Sequence, residues 1–508
     1  MKKLRSLLFL FFLTMVAGYG YAQKVTYAEP DKDDGRSLNF EIIGKMKDHY
    51  VIYKNYRDFH FISLYNDDMK MTEKVRLEFM PDKVINTDFL AMKDSFYIFY
   101  QYQRKSIVYC MAALINADGQ PIGKPIELDT TNISYASSKK LYSILISEDK
   151  KRIGILKVNA KNDDLHIVTV SFFDRSMQLQ DKTKMAILMP EKNDFLTEFT
   201  LDNDGDVSFL RAAGTAQNDN ITKLALITRS YKTTDIAVNN VDLKSVFMDD
   251  VRLKVDNINK HILLTSFYSK TKRGNIDGLY CSLWDKTTST PIATICNLFG
   301  DDFRNEAKGE SSMKTAFNDY FLQNILMKKD GGFFIAAESV YTSSRTGANN
   351  RWDYMYGSPF MSPYNNYYYY SNPYNYYYPW GRWGSFNQVT RYFADNIAIL
   401  SFGPSAQIEW ADVVKKSQYD DNSDNFIGYG TMTMGSEVHF LFNQLERRDL
   451  LLNDQSISAD GQVRRNPTLR NLDRGYDFMP RFAKQVSSWQ LIVPCEYRNY
   501  ISFAKIEF

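Results

Sequence analysis

The chain has 508 residues, 62 of them Lys or Arg and 60 Asp or Glu. That balance removes the electrostatic case for nucleic acid or an anionic membrane surface as the main partner. Four cysteines are too few for a disulfide-built scaffold, while 44% apolar and 15% aromatic residues suit a β-rich globular chain.

The first residues read as an address. Lys2, Lys3 and Arg5 precede the apolar run 7–16, and GYGYA ends on Ala22, the form of a cleavable secretory signal over residues 1–22. The run is shorter than the roughly 20 residues that span a bilayer, and no later stretch has the length and apolarity of a transmembrane helix. The expectation is an exported chain of the periplasm, cell surface or extracellular space, beginning at Gln23. Loss of the signal leaves 59 basic against 60 acidic residues.

From there the chain reads as one domain, 23–508, of repeated β-runs. KVTYAEP (24–30) is strand-like and stands alone. The units that follow start near 38, 85, 140, 195, 251, 320, 426 and 481, mostly about 55 residues apart. The one at 195 is complete: FLTEFTLD, VSFLRAAG, ITKLALITRSY and IAVNNVDL are separated by turns rich in Asn, Asp and Gly, which tolerate the positive φ of tight hairpins. Its second strand recurs as DHYVIYKNY (48–56), DSFYIFYQY (94–102), KHILLTSFYS (260–269), GGFFIAAES (331–339) and SSWQLIVPCEY (487–497), among others. Four strands per period predict an all-β β-propeller of eight blades, with seven as the alternative. The final unit shows only three strands, so the run near Val25 is expected to join the strand near Tyr500 and close the ring.

Two segments depart from the pattern. EAKGESSMKTAFNDYF (306–321) lacks strand alternation and predicts a short helix. The sixth unit is interrupted by a Tyr-rich low-complexity insert at 345–388, with 11 Tyr among the 25 residues 354–378. The flanking runs FFIAAES and NIAILSF are expected to pair across it, because loop-closure entropy grows slowly with length. KKDGGFFIAAES (328–339), the insert, and NIAILSFGPSAQIEWADVVKKSQ (396–418) together resemble a group of secreted bacterial propeller-like repeat proteins of unassigned function. The resemblance covers about residues 320–440 and implies export and a repeat fold; it carries no site residues.

Chemistry is sparse. His49, His60, His166, His261 and His439 lie in or at the start of strands with no metal-ligand spacing, and no HExxH, GxSxG, P-loop or GxGxxG motif occurs. Asp202, Asp204 and Asp206 in LDNDGD offer oxygens that would suit Ca²⁺, but Gly205 is misplaced for an EF-hand loop and a hairpin tip accounts for the run. Neither a metal nor a cofactor is expected.

The insert has the composition of a binding surface, since Tyr supplies large amphipathic area with few rotatable bonds and Asn and Ser supply adaptable hydrogen bonds. Its candidate contact residues are Trp352, Tyr354, Tyr356, Tyr364, Tyr367, Tyr374, Tyr376, Trp380 and Trp383, facing a protein or a neutral glycan; a low-complexity loop without a ligand is the competing reading. Cys281 and Cys296 flank a turn centred between Thr287 and Thr288, which places them opposed or one diagonal step apart on one sheet face. A disulfide there competes with two free thiols. The function expected is that of an exported, non-catalytic binding or scaffold protein of a bacterial envelope. The alternatives are a glycan-active hydrolase or lyase using loop carboxylates at the central channel, and a structural surface component assembling through the insert.

Overall fold

Alternating apolar and polar runs closed by short turns fold as antiparallel hairpins. The computed structural model describes residues 23–508 except 36–37, 135–139, 163, 215–218, 310–314, 344–390, 422–423, 447–448 and 470–474. The leader 1–22 and the insert's candidate contact residues therefore lie outside the described residues.

Strands follow one another as sheet neighbours. Asn39–Met46, His49–Tyr56, Phe59–Tyr65 and Met71–Arg76 form one four-stranded sheet; Asn86–Ala91, Ser95–Arg104, Ile107–Asn116 and Pro121–Asn132 form the next; Ser143–Ile146, Arg152–Asn162, Leu165–Asp174 and Leu179–Leu188 the third. Two further groups, Asp194–Leu201 to Ile236–Asn240 and Phe247–Asp256 to Thr290–Leu298, are joined into one larger sheet by the single pair Ile221↔Met248. Tyr320–Met327, Phe333–Ser343, Arg391–Phe402 and Ile408–Val414 come next, and then Tyr429–Met434, Glu437–Glu446, Asp449–Ile457 and Val463–Arg465. The last group runs from the split inner edge Tyr476–Phe478 and Lys484–Gln485 through Gln490–Tyr497 to Tyr500–Glu507.

One turn recurs between third and outer strands. Asn66, Asn116 and Asp174 accept N–H groups of the residues two and four further on. The fourth turn residue is then left-handed: Met69 (φ 57°), Gly119 (φ 76°) and Met177 (φ 57°). Glycine takes this conformation without cost. Met69 and Met177 adopt it with their side chains buried, so packing offsets the backbone strain.

The core is a circuit of apolar layers, each between consecutive groups. Tyr53 and Ile62 meet Ile98 and Tyr100; Phe99 and Cys110 meet Ile153 and Ile155; Val168 and Val170 meet Leu196 and Phe209. Leu210 and Leu224 meet Leu264 and Tyr280; Leu263 and Cys281 meet Ile335 and Leu400. Ile397 and Ile399 meet Phe440 and Phe442, and Leu441 and Leu452 meet Leu491 and Val493. A final layer joins the last group to the first, with Phe503 set edge-on to Phe40 at 5.1 Å. Full burial of each such side chain contributes about 1.5–3 kcal/mol. No sheet buries both faces alone, and the closed circuit of face-to-face sheets is a β-propeller.

Closure follows the expected route. Lys24–Tyr27 pairs antiparallel with the last strand as Val25↔Ile506 and Tyr27↔Ala504, completing a sheet otherwise made by the C-terminus. Phe333–Ser343 and Arg391–Phe402 pair across the insert, from Phe333↔Phe402 to Ser343↔Arg391.

Two expectations need correction. The helix lies earlier than 306–321, at Asp301–Ala307, where Asp301 and Asp302 in the first turn complement the helix dipole; the described part of 308–321 is loop, turn and the start of a strand. The cysteine pair fails as well. The outer hairpin begins in the expected register, Asp285↔Thr290 and Trp284↔Pro291, but a bulge follows and the ladder resumes as Leu283↔Ala293 and Cys281↔Ile295. One extra residue turns every later side chain to the other face, so Cys281 and Cys296 point apart and both are free thiols. Among the described residues no helix is long and apolar enough to cross a membrane.

Candidate functional site

At the base from which the insert departs, the hairpin extends past its inner strand and gains a short extra strand. The inner strand Tyr320–Met327 reaches only as far as Tyr320↔Ser339, so residues 340–343 and 391–394 stand beyond the sheet proper. A short strand, Tyr419–Asp421, lines their other side through Arg391↔Asp421 and Phe393↔Tyr419. Aromatic and charged groups brace this extension. Tyr341 stacks on Phe393 at 4.5 Å and donates its hydroxyl to Asp395 Oδ2 at 2.8 Å. Arg391 clamps Asp421 with two bonds of 2.7 and 3.0 Å while its guanidinium lies 4.4 Å over the Tyr419 ring.

Beneath it sits a buried ion pair. Lys416, its side chain 0% exposed, places Nζ 2.8 Å from Glu338 Oε1 and donates to Ala394 O and Gln418 Oε1, both at 2.7 Å. Burial lowers the lysine's pKa against the pull of Glu338. The third and second strands and the segment after the outer strand are thus tied at the foot of this extension, by a pair that is costly to break once desolvated.

Charge elsewhere is matched internally. Asp202 Oδ1 accepts the N–H groups of Asp204, Gly205 and Asp206, each at 2.9 Å, and shapes the hairpin tip. One oxygen from each of Asp202, Asp204 and Asp206 falls within 4.8 Å of the others, the group that resembled a cation site in the sequence. Lys286, from the neighbouring group's outer hairpin, reaches all three: it pairs with Asp202 and lies 2.7 Å from Asp204 and 2.9 Å from Asp206. Lys260 adds a 2.7 Å bond to Asp204. Hydrogen bonds from Lys260 and Lys286 hold the Asp204 carboxyl down at about 2. An ammonium group thus takes the place a metal ion would need.

Three carboxylates on the innermost strands, Glu41, Asp88 and Glu198, are also paired, whereas Asp477 on the last group's inner edge lies opposite Glu496 and burial raises its pKa. Burial pushes Glu41 up to about 7, against the pull of Lys484 Nζ at 3.0 Å. Asp88 on the next inner strand holds Lys140 at 3.1 Å, and Glu198 lies 3.5 Å from Arg252 while accepting the Leu253 N–H at 3.0 Å. Two histidines sit in buried internal contacts: burial brings His60 down to about 4, beside the Tyr53 hydroxyl at 2.6 Å, and His439 Nδ1 lies 3.0 Å from Asp454. A cleft of about 770 Å³ opens over the fourth group, lined by Glu191, Arg211, Lys223, Asp242 and Phe247 among others. Glu191 and Lys223 close on each other there.

The contact residues expected in the insert cannot be placed, as they lie outside the described residues. What the sequence did not signal is the base itself: Glu338, Asp395 and Lys416 occur in ordinary strand and loop contexts, and only pairing brings them together.

No known protein family matches the chain, and no curated protein matches it. Solved structures resemble it at low identity. The WD40 domain of SCAP from fission yeast is 7% identical, covering 96% of this chain and 97% of that one, with a TM-score of 0.38. A prolyl endopeptidase is 9% identical over 91% of this chain at a TM-score of 0.39, and the chain spans 54% of its length. An ulvan lyase is 12% identical over 82% of this chain and 90% of that one, with a TM-score of 0.36. At such values these likenesses say nothing of activity.

Proposed function

We propose that the chain is an exported, non-catalytic binding or scaffold protein of a bacterial envelope, built as an eight-bladed propeller that displays the insert 345–388 to a protein or neutral glycan. Eight blades are supported by the eight groups of strands and the eight apolar layers between them among the described residues. Export is supported by the form of residues 1–22.

The observation that carries the binding reading is the braced base. A loop that is merely tolerated can leave a hairpin at the sheet edge, whereas here the hairpin is prolonged, given an extra strand and anchored over the Lys416–Glu338 pair. Such a pedestal suits a binding loop positioned by a rigid scaffold. The test is deletion of 350–386 from the mature chain. The variant should fold and melt like the parent, while a glycan array or envelope pull-down that captures the parent should lose its signal. Equal capture by both proteins would refute the role given to the insert.

A further inference from the structure

Outer strands of propeller blades are sheet edges, and an edge with free N–H and C=O groups is a template for another strand unless charge, proline or short length blunts it. Most outer strands here are blunted. Met71–Arg76, Pro121–Asn132, Leu179–Leu188 and Ile408–Val414 carry charges such as Lys74, Lys124, Lys182 and Glu409. Ile236–Asn240, Val463–Arg465 and Lys24–Tyr27 are three to five residues long. Thr290–Leu298 differs: it has nine residues and no charge. Pro291 and the bulge guard its start, and beyond them 293–298 is bare, with no strand on its outer side among the described residues.

We propose that this edge pairs antiparallel with the same strand of a second copy of the chain. The ladder phase fixes the register. Phe299 donates its N–H to Asp277 O, so the odd-numbered residues 293, 295 and 297 turn their backbone groups inward, and Thr294, Cys296 and Leu298 turn theirs out. A two-fold register centred on Cys296 sets Thr294 against Leu298 of the second copy and uses all three outward donors and acceptors on both sides. A second copy is favoured over an unrelated strand because an uncharged edge meets itself without like-charge repulsion, and a two-fold axis satisfies both copies identically. Leu298, 58% exposed in the single chain, becomes covered.

Light scattering and sedimentation on the full mature chain test this. A dimer is expected in the micromolar range. Leu298→Lys should give a monomer with an unchanged melting temperature, and Leu179→Lys, at a similarly exposed site on a guarded outer strand, should remain dimeric. Opposed hydrogen-bonded residues have Cα atoms about 5.5 Å apart and Cβ atoms at the wide end of about 4.5–5.5 Å, beyond the about 3.5–4.5 Å of a relaxed disulfide, so a short bifunctional thiol reagent rather than oxidation should trap a covalent dimer through Cys296. Replacing Cys296 by Ser should abolish the trap, and replacing the other three cysteines should not. A wild-type monomer throughout that range, equal effects of the two lysine variants, or a cross-link elsewhere than Cys296 would overturn the proposal.

Discussion

Cys281 and Cys296 lie on adjacent strands of one hairpin yet face opposite ways. Cys281 is buried in the layer toward the sixth group with Leu263 and Phe267, and Cys296 packs half-buried against the layer toward the fourth. Burial raises the thiol pKa of both, Cys281 to about 12. Non-reducing peptide mapping should therefore find no peptide linking the two within one chain. On the native protein an alkylating reagent should modify Cys296 well before Cys110, Cys281 or Cys495, which are buried; a recovered Cys281–Cys296 peptide would require the bulge to be absent.

That bulge marks where the sequence could not be read far enough. Period-two alternation and Asn, Asp or Gly turns made the strands visible, and the short last unit made the latch visible, because both are local or follow from counting. The bulge at Leu283 and Trp284 inserts one residue, Ile292, beside Pro291, a residue that edge strands, strand starts and bulges all accept and that therefore does not fix the register, yet the insertion reverses the face of everything beyond it. Lys286 was equally hidden: LDNDGD advertises oxygens, but nothing near it in sequence tells that a lysine some 80 residues on will fill the gap. Non-local partners of this kind decide whether an acidic run is a metal site or a knot.

The knot predicts a measurable loss. Lys286 is largely buried against three carboxylates, and Lys286→Met leaves them facing one another with Lys260 on Asp204 and Arg152 on the backbone of the same tip. Removing one partner of a buried charge cluster costs about 3–5 kcal/mol, read as a lower denaturation midpoint. Because the freed oxygens lie close enough to chelate, millimolar Ca²⁺ should raise the melting temperature of Lys286→Met and leave the parent unchanged. Asp204 adds a pH signature: its folded pKa is depressed to about 2, so its contribution is complete above its ordinary value near 4 and fades as pH falls toward 2. An unaltered midpoint in the variant would mean the knot is solvated and inert.

Glu41 predicts the opposite sign. Its folded pKa stands at about 7 against an unfolded value of 4.5, so the folded state holds more protons between those limits and stability declines as pH rises through them. The decline starts above the unfolded value and is complete once pH passes the folded one. Glu41→Gln should flatten this part of the profile, by an amount on the order of a few kcal/mol between the ends, with Lys484 left free to hydrate. Guanidinium titrations at several pH values would check it; parallel profiles for parent and variant would show that Glu41 ionises as freely as an exposed carboxyl.

The latch makes the most demanding prediction, because it couples the two ends of the described chain. Lys24–Tyr27 is held by four residue pairs to the last strand, by Gln23 Nε2 donating to Asp454 at 2.7 Å, and by Tyr27 stacked on Tyr476 at 4.4 Å. Ala28 then donates its N–H to Phe503 O at 2.8 Å before the chain enters the first group. With net backbone hydrogen bonds at about 0.5–1.5 kcal/mol each and partial burial of Val25 and Tyr27, deletion of 23–28 should remove about 3–6 kcal/mol. It also bares the outer edge of Tyr500–Glu507. Thr26→Pro is the milder form, since Thr26, opposite Lys505, shares the ladder phase in which Ala28 donates to Phe503 and proline cannot donate, and it should lower the melting temperature less than the deletion does. Both variants should unfold from the seam between first and last groups, so limited proteolysis should cut near 476–508 before any other region. Cleavage that begins in the fourth or fifth group, or an unchanged melting temperature after deletion, would show that the apolar layer of Phe40 and Phe503 closes the ring without the strand.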